Sequence, residues 1–238
     1  MRSALKSSPT AATIHQSVSM LRLVWQDVDT RRFIEVGRLS QLAHGAFSFQ
    51  YTEGANHPRF QCLAEFPDRD CIYQSNALPA FFSNRVMSSQ RESYGQYCNW
   101  LGLSDVASPM EILARTGGGR ATDTFHVVDS FLPLEGVHSG RFFASGVRYL
   151  DGADERLRAL VPGQELLLRP QPDNPVNELA ILLDADAGQP VGWVPDWLVG
   201  EVHELLNAGA VHVRVAKVNP DAPSHLRLMC ALEARRAA

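Results

Sequence analysis

Apolar and polar residues alternate along 20–25 and again along 32–39, and the polar stretch 26–30 between them predicts a β-hairpin. Residues 45–51 put Phe47, Phe49 and Tyr51 on one face of a further strand, which 56–58 then break with Asn and Pro. The period next lengthens to that of a helix. Ser89 and Glu92 stand at capping-box spacing ahead of a helix over 90–101, with Tyr94, Tyr97, Cys98 and Leu101 on its apolar face and Gly102 at its end. Ser108, Pro109 and Glu111 combine an N-cap, a proline at the first helical position and a capping glutamate, so a second helix starts there and stops at Gly117.

Residues 129–140 are turn-rich and show no period, which marks a junction. Beyond it the pattern predicts strands at 141–149, 165–169, 179–183, 191–194, 211–218 and 225–232 and a short helix over 154–160. A longer helix over 197–206 carries Leu198, Val202, Leu205 and Leu206 on one face and closes at Gly209. The fold class read from this is α+β. An unstructured tail (1–19) precedes a mixed N-terminal domain (20–128), a linker (129–140) and a small barrel-like β domain with helical excursions (141–238).

Composition narrows the chemistry. The 238 residues carry a formal net charge of −4. Residues 1–138 hold 12 Lys and Arg against 13 Asp and Glu, and residues 139–238 hold 10 against 13. Neither half has the basic excess that coats a phosphate backbone, so nucleic acid would have to bind at a local site. Only Lys6 and Lys217 are lysines, which leaves cationic recognition to Arg, whose planar fork fits phosphates and base edges. Cys62, Cys71, Cys98 and Cys230 form no C-x-x-C pair and suit the reduced thiols of a cytoplasmic protein, with no metal or cofactor expected. No apolar run nears the ~20 residues that cross a bilayer, so no membrane partner is expected.

Four ordered motifs stand in the second half: Gly146-Val147-Arg148-Tyr149, Leu160-Val161-Pro162-Gly163, Pro172-Asp173-Asn174-Pro175-Val176-Asn177-Glu178-Leu179-Ala180-Ile181, and Val191-Gly192-Trp193-Val194-Pro195. Together they resemble the HIRAN family, which implies a DNA-binding module that grips single-stranded DNA or its 3′ end. The site residues would be Arg148, Tyr149, Asn174, Asn177 and Trp193. An arginine fork suits phosphate, flat aromatic rings offer stacking for an unpaired base, and Asn174 before Pro175 makes a tight turn. Both aromatics also suit core positions beside strands. Leu150 and Asn177 stand where the family pattern has Tyr and Asp; an amide thus replaces the acid that would bind a terminal hydroxyl, which leaves internal single-stranded binding open beside end binding.

In the first half, Glu35-Val36-Gly37-Arg38-Leu39, Phe47 to Tyr51, Leu78-Pro79-Ala80-Phe81-Phe82, Arg91, Tyr94, Leu101-Gly102-Leu103 and Pro109 to Gly118 resemble the N-terminal subdomain of HipA-type toxin kinases, with no kinase core following. That resemblance implies a docking platform for a protein partner such as a kinase, nuclease or helicase subunit. Catalytic readings fail on context. Gly117-Gly118-Gly119-Arg120-Ala121-Thr122 lacks the lysine of a phosphate loop, Asp184 and Asp186 sit in a hairpin turn, and Asp196 reads as a helix N-cap. The expectation is a non-catalytic DNA-binding adaptor in a defence, mobile-element or repair complex. The alternative is an antitoxin-like regulatory subunit of a HipA-type kinase system.

Overall fold

The computed structural model describes residues 5–7, 17–129, 131 and 136–236. The chain divides into two compact units, Met1–Tyr94 with Val106–Ser130, and Gly95–Asp105 with Phe131–Ala238.

Among the described residues the first unit is built on six antiparallel strands in the order β1-β5-β4-β3-β2-β6, where β1 is Leu5–Ser7, β2 Ser17–Gln26, β3 Phe33–Leu42, β4 Phe47–Tyr51, β5 Ile72–Ser75 and β6 Phe125–Asp129. Of the stretch expected as an unstructured tail, Leu5–Ser7 pair with β5 and β2 already starts at Ser17; the rest of 1–16 lies outside the described residues. The hairpin of β2 and β3 forms as its alternation predicts, and the alternation of β4 buries Phe47 and Phe49. Phe49 anchors an aromatic core, with ring centroids 4.4 Å from Phe66 and 5.5 Å from Phe82. α1 (Ala80–Ser83) is capped from a distance, because the Glu65 carboxylate accepts from the backbone N–H of Ala80 (3.0 Å) and Phe81 (2.8 Å).

The two expected helix starts fare differently. α2 spans Tyr94–Trp100, four residues later than the start at 90, because Ser88 forms a turn with the N–H of Gln90 (3.3 Å) and Arg91 (3.2 Å) where the capping box was expected. α3 (Pro109–Thr116) has its box complete: Ser108 and Glu111 cap each other's backbone N–H, and Gly117 ends the helix with φ +72°.

The second unit has, among the described residues, six antiparallel strands in the order β10-β9-β8-β11-β12-β7. They are β7 Val137–Phe143, β8 Glu165–Pro170, β9 Ile181–Asp184, β10 Pro190–Trp193, β11 Gly209–Val218 and β12 Leu228–Arg236. The strand expected at 141–149 stops at Phe143, because Gly146 turns the chain at φ +69° into a 3-10 turn over Val147–Tyr149. It also begins early, so part of the expected 129–140 linker is strand: 137–140 pair with 232–235 of β12, and ladder hydrogen bonds override the turn-rich composition. Gly140 is required there, since a Cβ on it would fall 1.3 Å from the Phe131 ring.

A single bridge between Ser145 and Trp193 joins the two edges of this sheet, with each N–H donating to the other's carbonyl at 2.9 and 3.0 Å, so the sheet curls towards a barrel. α4 (Ala153–Ala159) and α5 (Asp196–Ala208) complete the unit, and α5 sinks Leu198, Val199, Val202 and Leu205 into the core. At about 1.5–3 kcal/mol for each buried side chain, that face fixes the helix firmly.

The second unit also takes in Gly95–Asp105, a segment with no place in the boundaries read from the sequence. Cys98 and Leu101 are buried, Lys217 donates to the carbonyl and the side chain of Asn99, and the buried Asn219 Nδ2 donates to the carbonyls of Trp100 (2.9 Å) and Leu226 (2.8 Å).

Candidate nucleic-acid interface

The first motif sits on the 3-10 turn that follows Gly146. Arg148 and Tyr149 both point outward, with Tyr149 70% exposed. The Arg148 guanidinium lies 4.6 Å from the Tyr149 ring centroid and donates to its hydroxyl, so cation and ring form one stacked plate. Leu150, where the resembled pattern carries a second aromatic, is half-buried and packs on the core.

Trp193 supports this turn from below. Its ring lies against Gly146, where a Cβ would come within 2.4 Å of it, and its indole N–H donates to Gln171 Oε1 at 2.7 Å. One face of Trp193 is therefore spent on packing, and the stacking surface of the site is Tyr149.

Gln171 leads into the third motif. Its Oε1 also accepts from Asn174 Nδ2 (3.1 Å), and Asn174 Oδ1 accepts from the N–H of Val176 (3.0 Å) and Asn177 (3.2 Å). Asn174 thus shapes its own turn. Asn177 Oδ1 accepts from Leu179 N–H (3.0 Å), while its Nδ2 donates to Asp196 Oδ1 (3.0 Å). His203 Nε2 donates to the Leu179 carbonyl at 2.9 Å. Between these anchors the loop displays Val176 and Leu179, 63% and 47% exposed.

The structure thus brings Trp193, Asn174 and Asn177 into one hydrogen-bonded chain and joins Arg148 and Tyr149 to it through Gly146. Sequence reasoning missed Gln171, Asp196 and His203. Asp196 is corrected from N-cap to first helical residue: Pro195 holds the cap position and no side-chain cap forms. Its carboxylate still suits the positive end of α5, and it faces the loop. Behind the loop, the buried Asp184 makes a bidentate pair with Arg169 (2.6 and 3.0 Å), and hydrogen bonding to that carboxylate raises the arginine's pKa. The 185–189 turn joins β9 to β10 as the hairpin reading expected. Among the described residues no group of three or more His, Cys, Asp or Glu could hold a metal ion.

The HIRAN family model matches residues 137–235. The segment is a HIRAN domain. Two solved structures are similar to this chain. A crystal structure of a protein from Lactobacillus plantarum is 17% identical, covers 43% of this chain and 100% of its own, and superposes with a TM-score of 0.35. The HIRAN domain of human HLTF is 20% identical, with 41% of this chain and 76% of its own covered and a TM-score of 0.32. No curated protein matches the chain. The HIRAN match begins at the first residue of β7 and ends within β12, so it takes in the stacked Arg148–Tyr149 plate, the 171–180 loop and α5.

Proposed function

We propose that this protein binds single-stranded DNA or a strand end through its HIRAN domain, at the surface formed by Arg148, Tyr149 and the 171–180 loop, and performs no chemistry on it. The observation that carries the reading is the exposed Arg148–Tyr149 plate, fixed on a turn that Trp193 supports. An arginine held over a ring offers its fork to a phosphate with little ordering left to do, and base stacking contributes about 1–3 kcal/mol. Asp173, Glu178 and Asp196 line the loop side and repel phosphate, so the backbone would run past Arg148 while bases face the loop. With a net charge of −4, affinity would come from this local site and fall as salt rises.

The test is a titration of labelled single strands with free or blocked 3′ ends, and of duplex, at low salt. Arg148→Ala should weaken single-strand binding and reduce the salt slope by about one, and Tyr149→Ala should weaken binding while keeping the slope. Absence of wild-type binding to every strand, or equal affinity of both variants and wild type, sinks the reading. Magnesium-dependent cleavage by the purified protein would overturn its non-catalytic part.

The first unit is read as a docking platform for a protein partner such as a kinase, nuclease or helicase subunit, on the strength of its resemblance to HipA N-terminal subdomains. In this reading the protein is a cytoplasmic adaptor of a defence, mobile-element or repair complex. No helix among the described residues is long and apolar enough to cross a membrane. The same resemblance supports the alternative of a regulatory subunit for a separately encoded HipA-type kinase, and co-purification with such a kinase would favour it.

A further inference from the structure

The 171–180 loop has no core of its own. Pro172, Asp173, Pro175, Val176, Glu178 and Leu179 are all exposed, and its backbone closes on itself only at Gln171 N–H to Ala180 carbonyl (2.8 Å), Asn174 N–H to Gln171 carbonyl (3.0 Å) and Ala180 N–H to Asn177 carbonyl (2.9 Å). Ordering a residue costs about 1–2 kcal/mol of backbone entropy, so something outside must hold two apolar side chains out in water. Both outside anchors towards the loop's end come from α5. Asp196 and His203 are seven residues apart, two turns along one face of the helix, and they meet Asn177 and Leu179, two residues apart on the loop. The opposite face of α5 is locked into the core by Leu198, Val202 and Leu205.

We propose that Asp196 and His203 are positioning residues: α5 acts as a rigid rail that sets the shape of the 171–180 loop and, through it, the DNA-binding surface. The inference rests on the DNA reading above for its consequence, but not for the holding itself. It also explains why residue 177 is Asn. Facing the Asp196 carboxylate, residue 177 must donate, which an ionised acid cannot do. An Asp at 177 would set two carboxylates against each other and release the loop. The donor and acceptor of this pair can be exchanged, however, without changing its geometry.

The experiment uses the full-length protein, with backbone hydrogen exchange across 172–181 as one readout and affinity for a labelled single strand as the other. Asn177→Asp and Asp196→Ala should each speed exchange of the Val176, Asn177 and Leu179 amides about tenfold, and should weaken strand binding. Combining Asn177→Asp with Asp196→Asn restores a donor facing an acceptor and should bring both readouts back to within about twofold of wild type. His203→Ala should loosen the Leu179 end alone. Exchange unchanged in Asn177→Asp and Asp196→Ala overturns the proposal. So does a doubly exchanged variant as loose as the single ones, since that points to charge or packing and not to a donor–acceptor match. Tighter strand binding by Asp196→Ala, with the loop still held, would mean that Asp196 acts only by repelling phosphate. Wild-type protein that binds no strand removes the DNA reading, while the exchange results still decide whether α5 holds the loop.

Discussion

Each unit lays an arginine over an aromatic ring, and the two pairs have opposite fates. Arg85 sits 4.2 Å from the Phe81 centroid with its side chain 1% exposed, and both of its terminal nitrogens are used inside its unit: Nη2 meets Asp123 at 2.5 Å and Nη1 donates to the Gly118 carbonyl at 2.8 Å, while the buried Nε has no hydrogen-bond partner among the described residues. Arg148 sits 4.6 Å from Tyr149 in solvent and binds only its neighbour's hydroxyl. A buried guanidinium is tolerable only when its charge is paired, as Asp123 pairs this one, so its chemistry goes into holding the fold. An exposed one gains little from its intramolecular contacts, so its donors stay open to a ligand. The same pairing of residue types therefore marks structure in one unit and a candidate site in the other, and burial decides which.

The largest effect that could break this comparison is at Arg85. Arg85→Ala should cost the first unit about 3 kcal/mol in denaturant unfolding, because it strands the Asp123 carboxylate and the Gly118 carbonyl. The same change at Arg148 should stay within about 0.5 kcal/mol. Similar losses at both positions would show that exposure does not separate them.

Gly146 comes next. Alanine there would place a Cβ 2.4 Å from the Trp193 ring at a φ of +69°, and should cost about 2 kcal/mol in the second unit while tilting the Arg148–Tyr149 turn. Strand affinity should fall along with stability, in contrast to Arg148→Ala, which lowers affinity alone.

How much of this was legible depended on whether the cause was local. The hairpin of β2 and β3, the capping box of α3 and the apolar face of α5 are written within a few residues of each other, and they form where the pattern puts them. The start of α2 was misread because Ser88 and Ser89 compete for the same turn, and periodicity does not choose between them. The cap of α1 comes from Glu65, fifteen residues earlier, which no local window contains. At the candidate site, motif order pointed to Arg148, Tyr149, Asn174, Asn177 and Trp193, and the fold brings these five together. Gln171, Asp196 and His203 act across the fold, and only the seven-residue spacing of the last two on one helix could have hinted at them.

A smaller effect tests the excursion that the second unit borrows from the first half of the chain. Asn219→Ala removes the donor shared by the Trp100 and Leu226 carbonyls, and should cost about 1–2 kcal/mol, with faster exchange confined to 95–105 and the 219–227 turn. Uniform loosening of both units would mean that Gly95–Asp105 does not belong to the second unit alone.

The smallest expected effect returns to Arg85 through its neighbour His126. Burial, and then the positive charge of Arg85, hold His126 below its usual 6.5, against a weaker pull upward from Asp123. A base whose pKa is lowered on folding binds more protons unfolded than folded. Its contribution is therefore intact above about 6.5 and is lost as the pH falls from there towards the lowered folded value. Unfolding of the first unit should grow easier on acidification in that window, and His126→Gln should flatten this part of the profile. Arg85→Met, which keeps most of the side-chain volume but removes the charge, should make the slope shallower than in wild type, because the repulsion on the imidazolium is gone and only burial still opposes protonation. An unchanged slope in Arg85→Met would mean that the buried cation is fully neutralised by Asp123 and is not felt by its neighbours, which would bring it electrostatically closer to Arg148 than its burial implies.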